Sequence, residues 1–512
     1  MQLETIVTQS YDIVVYGATA GGVTAAVAAA GAGMKVALLE RGRHVGGMVS
    51  GGLGWTDVGQ LEVVGGLAYE FYQRIGQAYD APAFAYVGPE PHVAERVLKE
   101  WLETAGVEVL FDRGLKKVTK SGRRITSLDS ESATFEGAVF INAFYVGDLL
   151  AAAGVSYAMG REGVDTYGES WAGRQPLRPG QHQFDTYVSP FAEDGDTLLP
   201  LVHDRPLAPV GSADGAVQGY GFRLCLTTRA DNRVAFPEPP GYDPERLELL
   251  RRYLRAKGDS VEANELLVLC PNLPNDKADV NSKGPLSTNL LDGSNWAYPE
   301  ADAATRAEIW QRHLHYTQSL LYFLANDPGV PSRVQKEVNR WGLCKDEFCD
   351  TGHWPHQLYI REARRMKGEY LMTQRDLQSE RVKYDSVGMG SYHIDIRHTQ
   401  RTWEPVHLHP NLVPAAFNEG YLSVPVQPYE IPYRALLPRF VECENLLVPV
   451  CLSASHVAFA SIRMEPQYMI LGHSAGVAAA LAVKRDLSVQ RVSVAELQER
   501  LRDAHQVLSL SA

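Results

Sequence analysis

The chain contains 512 residues, of which 45% are hydrophobic, so it is long enough to bury a large core and form about two to four domain-sized units. Its formal net charge of -12 disfavours nucleic acids and anionic membranes as partners, because a protein that neutralises phosphates needs a basic face. No stretch reaches the ~18 consecutive apolar residues of a membrane span, and the N-terminal segment MQLETIVTQS lacks the features of a signal peptide, so we expect a cytoplasmic location.

The N-terminal part of the chain predicts a complete βαβ nucleotide-binding unit. Residues 12–16 form a short β-branched run, residues 17–22 a glycine-rich turn, and residues 23–30 a small-residue helix. A second strand over residues 35–39 ends on Glu40. This acid lies at roughly the 20-residue offset where a dinucleotide fingerprint places a carboxylate to hydrogen-bond an adenosine ribose.

The glycines of this turn suit a pyrophosphate, which binds bare backbone N–H groups at a helix N-terminus and would be held away by a Cβ. Thr19 occupies the middle glycine position of the G-x-G-x-x-G fingerprint, so a glycine turn inside any α/β sheet is the alternative interpretation. The turn reads Gly17-Ala18-Thr19-Ala20-Gly21-Gly22. A second glycine-rich loop over residues 46–54 begins Gly46-Gly47-Met48 and suits a ligand longer than NAD.

Further regular elements follow in chain order. Residues 62–77 and 91–104 are predicted helices, and the second has Pro91 in its first turn. We expect a small meander of three strands and then an apolar strand, over residues 107–111, 115–119, 124–128 and 138–141. A strand-to-helix turn then leads to Asp148.

Residues 157–430 lose this βα regularity and predict a large insertion, with one long helix at residues 303–326. The α/β pattern returns with a buried strand at 445–450 and a small-residue helix at 466–484. We therefore expect an α/β chain organised as a first nucleotide-binding segment (1–156), a mixed α+β substrate domain (157–430), a second nucleotide-binding segment (431–490) and a helical tail (491–512).

The six cysteines are too few and too scattered for a disulfide framework in a chain of this length. Cys344 and Cys349 are the only pair close in sequence, and their spacing matches neither the C-x-x-C redox motif nor a complete zinc set. We expect free buried thiols and no metal site.

A set of motifs, taken in this order, resembles the bacterial FAD-dependent oxidoreductases of the glutathione-reductase-2 structural type over nearly the whole chain. The motifs are the 17–22 turn, Gly46-Gly47-Met48, Glu90-Pro91-His92, Tyr167-Gly168-Glu169-Ser170, and residues 220–224, 277–282, 359–366 and 453–476. The resemblance implies a discontinuous Rossmann-like FAD domain that carries the inserted substrate domain. Noncovalent FAD is the default expectation, because no histidine near the flavin-domain motifs stands out as an attachment site. Asn142 and Val146 replace acids that are usual in the family, so we assign them no flavin contact.

The same resemblance implies the cofactor contacts. Besides the turn and Glu40, they are Arg41, Gly46, Gly47, Met48, Leu115 and Asp148, the last as a ribityl acceptor or merely a helix cap. The final group is Gly472, Ser474, Ala475 and Gly476, expected at a helix start whose N-terminus stabilises negative charge near N1 and C2=O of the reduced flavin. Tight helix packing by small residues is the alternative for this group.

The implied reaction is hydride transfer from a small polar substrate, such as a carbohydrate or polyol, to flavin N5. A flavin-dependent hydroxylase and a flavin-binding protein without turnover are the alternatives. The electron acceptor and a homo-oligomeric state stay open. The polar groups expected to face the substrate are Arg364, Arg365, Tyr392, His393, His456 and Arg463.

We expect Arg361, Arg364 and Arg365 on one helix, where their charges repel unless a substrate or a carboxylate such as Glu362 or Asp395 lies between them. Structural salt bridging is the alternative role for each arginine. The segment SYHIDIRH predicts a strand in which His393 and Asp395 share a face. Either His393 or His456 would then be the catalytic base.

Overall fold

The computed structural model describes residues 7–85, 88–178, 180, 182–408 and 410–510. Residues 1–6 of the first predicted segment and 511–512 of the predicted tail lie outside these ranges. The strands are β1 (Val7–Tyr16), β2 (Val36–Leu39), β3 (Glu108–Leu110), β4 (Lys117–Ser121), β5 (Arg124–Asp129), β6 (Ala133–Asn142), β7 (Tyr157–Ala158), β8 (Tyr220–Gly221), β9 (Leu224–Thr227), β10 (Arg233–Val234), β11 (Lys277–Val280), β12 (Asn289–Leu290), β13 (Gly342–Cys344), β14 (Arg365–Met366), β15 (Ser386–Gly390), β16 (Ile394–Ile396), β17 (Gln400–Leu408), β18 (Asn411–Glu419), β19 (Leu422–Val424), β20 (Tyr429–Pro432) and β21 (Leu446–Leu447).

The α-helices are α1 (Ala20–Gly31), α2 (Gly66–Ala78), α3 (Pro91–Thr104), α4 (Asp148–Ala152), α5 (Val164–Tyr167), α6 (Glu248–Lys257), α7 (Ala263–Leu266), α8 (Ala303–Asn326), α9 (Ser332–Val338), α10 (Gln374–Gln378), α11 (His456–Ile462), α12 (Glu465–Arg485) and α13 (Val494–Asp503). Within the described ranges, no helix has the length and apolar character needed to cross a membrane.

The central sheet has the strand order β3-β2-β1-β6-β5-β4, and β21 also pairs with β6. β1 runs parallel to both β2 and β6, and in this register Val15 pairs with Leu38 and Ile141. The apolar runs of these strands are buried because helices cover the parallel part of the sheet. Parallel strands share one carboxyl edge, so the glycine turn, Glu40 and the turn after β6 meet there.

The predicted meander is corrected in one respect. β3 lies beside β2 in the parallel part of the sheet, and the antiparallel meander is β4-β5-β6 instead. The three strands looked alike in sequence because strand pairing depends on contacts between residues far apart in the chain. The predicted helices at 91–104 and 303–326 agree with α3 and α8 to the residue.

The C-terminal part of the chain returns to this sheet. β21 runs parallel to β6, and α12 packs along α1 with the Thr24 hydroxyl donating to the Met469 carbonyl at 2.9 Å. A Cβ on Gly472 would lie 2.0 Å from the Gly21 carbonyl oxygen, and one on Gly476 would lie 2.3 Å from the Ala25 oxygen. The two helices therefore touch through their backbones, which small residues alone permit.

Residues 157–430 contain α8, the shorter helices α5–α7, α9 and α10, and several short sheets joined by loops. They include the four-stranded sheet β10-β13-β9-β11 and the long β17–β18 hairpin. One continuous hydrophobic core contains residues from this region and from the central sheet, for example Ile13, Phe222 and Leu471. The division into an FAD domain and an inserted substrate domain stays a prediction.

The expected helix through the arginines of YIREARRM is absent from this described segment. Residues 360–364 have no regular structure, and Arg365 belongs to β14, which pairs with β7. The expectation of buried thiols is wrong for Cys270 and Cys349, which are exposed. The neighbouring thiols in space are Cys225 and Cys344, with sulfur atoms 3.9 Å apart, because β9 and β13 are adjacent strands.

Candidate functional site

The glycine turn brings the start of α1 against the end of β6. Gly17 has a φ of 117°, and a Cβ there would lie 2.6 Å from the Phe144 nitrogen. A Cβ on Gly22 would lie 1.8 Å from the Gly17 oxygen. Thr19 accepts a hydrogen bond from Gly22 N at 3.2 Å and donates to Ala143 O at 2.7 Å. Thr19 therefore caps α1. The glycine turn packs directly against the backbone that follows β6, at the carboxyl edge of the sheet.

Glu40 lies at the end of β2 and is buried. Its carboxylate accepts hydrogen bonds from Ala18 N at 3.0 Å and from Gly42 N at 2.7 Å. Burial raises the pKa of Glu40, and these two donors and Arg41 oppose that rise. A carboxylate has about four acceptor positions, so two remain for other donors. Glu40 faces a cavity of about 410 Å³ that is also lined by Thr19, Arg41, Gly42, His44, Gly47 and Phe144.

A second cavity, of about 550 Å³, adjoins the first at Arg41 and is lined by Leu115 and Asp148. Asp148 is the first residue of α4 rather than its cap. Its carboxylate forms ion pairs with Arg306 at 2.9 Å and Arg364 at 2.8 Å. Burial favours a higher pKa for Asp148, but these arginines and Arg41 hold it below its usual range. The arrangement fits the salt-bridging role for Arg364.

The expected helix start at Gly472 is wrong, because α12 begins at Glu465 and is preceded by its cap Met464. The remaining predicted cofactor residues of this segment lie inside the same helix: Ser474, Ala475 and Gly476. The Ser474 hydroxyl donates to the Val387 carbonyl at 2.7 Å. These small residues pack α12 against its neighbours, which was the alternative interpretation of the segment.

The true start of α12 carries polar groups that lack partners. The Tyr145 hydroxyl donates to Glu465 Oε1 at 2.8 Å and accepts from Met48 N at 2.9 Å, so it links the second glycine loop to this helix. Glu465 Oε2 and both amide atoms of Gln467 are buried and have no hydrogen-bond partner within the described part of the chain. Buried polar groups in native proteins are normally paired, so this helix end indicates a binding position for a polar ligand.

His456 has an orienting partner and one unused nitrogen. It is the first residue of α11 and is 1% exposed. Its Nδ1 lies 2.8 Å from Glu362 Oε2, so Nδ1 carries the proton and donates to the carboxylate. Its Nε2 is buried without a partner among the described residues. Glu362 is also paired with Arg365, so a carboxylate neutralises this one arginine of YIREARRM.

Arg463 lies at the end of α11 and pairs with Asp395 at 3.0 Å. One of its nitrogens also donates to the Tyr359 hydroxyl at 3.2 Å. Tyr392 and His393 are partly buried with ring centres 4.1 Å apart, and Asp395 lies in β16. The structure thus brings Arg463, Tyr392 and His393 into one region, whereas Arg364 pairs with Asp148 and Arg365 pairs with Glu362, the partner of His456.

Glu90, His92, Asp346 and Glu347 have the geometry of a cation site, but an ammonium group fills it. Lys277 Nζ lies 2.6 Å from Glu90, 2.8 Å from Asp346 and 2.7 Å from Glu347. The motifs Glu90-Pro91-His92 and 277–282 therefore meet in a partly buried ion cluster, in which the Lys277 ammonium group takes the position of a cation.

A parallel sheet with a glycine turn, a carboxylate at the end of β2 and a neighbouring cavity defines a dinucleotide-binding protein. A family model described as FAD dependent oxidoreductase matches residues 12–501. The chain therefore belongs to the FAD-dependent oxidoreductase family: it is an enzyme, and its cofactor is FAD.

Several solved structures resemble part of the chain. Thioredoxin reductase from Lactococcus lactis has 23% identity and a TM-score of 0.18, covering 26% of this chain and 34% of that one. L-proline dehydrogenase from P. horikoshii has 14% identity and a TM-score of 0.25, covering 31% of this chain and 59% of that one. The chain spans about a third of the length of the first structures it matches. No curated protein matches the sequence.

Proposed function

We propose that this FAD-dependent oxidoreductase takes a hydride from a small polar substrate, such as a carbohydrate, a polyol or a related metabolite, and that His456 accepts the substrate proton. The observation that carries the proposal is the buried Glu362–His456 pair with its unpartnered Nε2. A neutral imidazole held in one tautomer by a carboxylate is the usual arrangement of a general base.

The residues present fit FAD at two positions. Glu40 retains acceptor capacity toward a cavity at the start of α1, which suits a ribose and a pyrophosphate. Glu465 and Gln467 offer unpaired polar atoms at the start of α12, which suits the polar edge of an isoalloxazine ring. Bound FAD supplies flavin N5 as the hydride acceptor.

The chain's own residues then handle the proton. As the substrate C–H bond breaks and its hydride leaves, the proton of the substrate hydroxyl passes to Nε2 of His456. Glu362 stabilises the imidazolium that forms, and Arg365 in turn holds Glu362 in place. His393 is the second candidate base, and no hydrogen-bonded acid orients its ring in the described structure.

The proposal is tested by anaerobic rapid mixing of the FAD-loaded enzyme with candidate carbohydrates, polyols and related metabolites, including the carboxylic acids derived from them. His456→Gln should slow flavin reduction by about 10²-fold or more while the oxidised flavin spectrum is unchanged. His407→Gln is the matched control, because His407 is exposed on β17. If His393→Gln slows reduction and His456→Gln does not, the base assignment is wrong. If no candidate reduces the flavin of the wild type, the proposed reaction is wrong.

A further inference from the structure

One group of arginines near His456 carries more positive charge than the protein neutralises. The group consists of Arg361, Arg397 and Arg463. Arg361 and Arg463 are each 4% exposed, and Arg397 is partly exposed. Among the described residues, Asp395 is the one carboxylate that forms an ion pair with any of them, through Arg463.

Other buried arginines of this chain have more ion-pair or hydrogen-bond partners. Arg161 is paired with Asp214 and Glu419, and Arg365 is paired with Glu162 and Glu362. Arg401, also buried without a carboxylate, donates to two backbone carbonyls, Leu201 O and Pro285 O. By contrast, Arg361 donates to a single carbonyl, Gly219 O, and otherwise lies over the Tyr359 ring at 4.2 Å.

An unneutralised buried guanidinium is costly, because the charge loses its hydration without gaining a counter-ion. Burial lowers the pKa of Arg361 to about 9, and the neighbouring charges of Arg397 and Arg463 act in the same direction, whereas Tyr359 and Asp395 oppose it. An anion that binds between the side chains of Arg361, Arg397 and Arg463 would neutralise their positive charge.

The arginines are also linked by contacts and by sequence to the proposed base and to the start of α12. The Gln218 side chain donates to Glu362 Oε2 at 2.9 Å and accepts from Arg397 N at 3.0 Å. Arg361 directly precedes Glu362 in the chain, and Glu362 orients His456. On the other side, Arg463 is two residues before Glu465, the first residue of α12. The group is therefore connected to the proposed base through Gln218 and Glu362, and to the start of α12 through Arg463.

We infer that Arg361, Arg397 and Arg463 bind a carboxylate of the substrate, so that the enzyme acts on a small carboxylic acid rather than on a neutral carbohydrate or polyol. This inference rests on the proposed function for the position of the flavin and the base. The forked guanidinium groups match the geometry of a carboxylate, which accepts two parallel hydrogen bonds from one arginine. Tyr359, which contacts both Arg361 and Arg463, positions these two side chains.

The test titrates the FAD-loaded enzyme, without oxygen, with glycolate, glycerate and gluconate and with their neutral partners ethylene glycol, glycerol and glucose. Carboxylates should perturb or bleach the flavin absorbance at concentrations where the neutral partners do not. Arg361→Met should weaken carboxylate binding by about 30-fold or more. Arg205→Met, at an exposed arginine of the same region, should bind like the wild type.

Thermal unfolding separates this role from a structural one. Removal of an unneutralised buried charge should leave the melting temperature of Arg361→Met unchanged or raised, whereas Arg161→Met should melt lower because it leaves two acids unpaired. The inference is overturned if the carboxylates do not bind, if neutral partners act equally, if Arg361→Met binds carboxylates like the wild type, or if it melts as low as Arg161→Met. Reduction by neutral compounds alone would overturn it while leaving the proposed oxidoreduction intact. Carboxylate binding that depends on Arg361 but does not reduce the flavin would support the carboxylate site and contradict the proposed hydride transfer.

Discussion

Two buried carboxyl groups differ in what surrounds them, and the difference separates their roles. Glu40 accepts hydrogen bonds from two backbone N–H groups and faces a cavity, so its remaining acceptor positions are available to a ligand in that cavity. Glu465 receives one hydrogen bond, from Tyr145, and its second oxygen has no partner in the described structure. We expect Glu40 to affect cofactor affinity. We expect Glu465, which the proposal also places at the flavin, to make the stability of the protein depend on pH as well.

Glu40→Ala should weaken FAD binding by about tenfold to hundredfold, because it removes a charged acceptor of the ribose hydroxyls. Flavin absorbance of the purified protein and fluorescence titration of apoprotein with FAD measure the effect. Glu136→Ala is the matched control, since Glu136 is exposed on β6. Equal FAD affinity in both variants would exclude Glu40 from the cofactor site.

Glu465→Gln should remove a pH dependence of stability. Burial raises the pKa of Glu465 from 4.5 to about 8, and the hydrogen bond from Tyr145 opposes that rise. Between pH 4.5 and about 8 the folded protein holds a proton on Glu465 that the unfolded chain has released. The stability that this proton contributes is therefore complete below pH 4.5 and is lost as pH rises through about 8. The slope is at most about 1.4 kcal/mol per pH unit.

Urea unfolding of both proteins from about pH 5 to about pH 9 measures this dependence. The difference between the variant and the wild type should grow in favour of the variant as pH rises. Glu499→Gln, at an exposed position of α13, should follow the wild type. Parallel curves for Glu465→Gln and the wild type would show that Glu465 is ionised in the folded protein.

At the scale of elements, the pair α1–α12 holds the two ends of the chain together. The helices touch backbone to backbone at Gly21, Gly472 and Gly476. The glycines of α12 therefore act through packing, and their effect on FAD should follow their effect on folding. Gly476→Ala places a methyl group 2.3 Å from the Ala25 oxygen, where the backbone has to move apart.

We expect Gly476→Ala to destabilise the protein by about 1–3 kcal/mol, the usual cost of overpacking. Gly31→Ala, on the exposed end of α1, meets no atom within 4 Å and should leave stability unchanged or raise it by up to about 1 kcal/mol. Chemical denaturation with and without added FAD measures both variants. Loss of FAD from Gly476→Ala at unchanged stability would instead place this glycine at the cofactor.

At the scale of the whole molecule, one buried cation joins segments that are far apart in sequence. Lys277 of β11 is fully buried and contacts Glu90 at the start of α3 and the acids Asp346 and Glu347. His92 adds a further contact, 2.7 Å from Glu347. The ion pair between Lys277 and Glu90 links β11 to the start of α3 without any cofactor.

Lys277→Met should lower the free energy of unfolding by about 3–5 kcal/mol, because it leaves Glu90 and Glu347 as buried charges without their cation. Lys345→Met is the control, since Lys345 is exposed and directly precedes Asp346 and Glu347 in the sequence. Differential scanning calorimetry of the two variants checks the prediction. A small effect of Lys277→Met would mean that the acids take up protons and the cluster contributes little.

Local patterns alone predicted the βαβ unit, Glu40 at the end of β2, and the helices α3, α8 and α12. These signals are short-range: a β-branched run, a glycine turn, a proline at a first helical position, and apolar residues at helical spacing. The order of motifs also indicated FAD, and the family match agrees. The same signals could not place β3, because a three-residue strand carries no information about its neighbour.

Tertiary structure decided which polar residues belong together. YIREARRM predicted a helix, yet its residues 360–364 have no regular structure. Arg361, Glu362 and Arg364 contact three different partners, which are Gly219, His456 and Asp148. Gly472 suggested a helix start because glycine serves both a close approach to a ligand and close helix packing. The start of α12 and the arginine group are built from residues far apart in the chain, so their unpaired polar atoms and unneutralised charge exist only once the chain has folded.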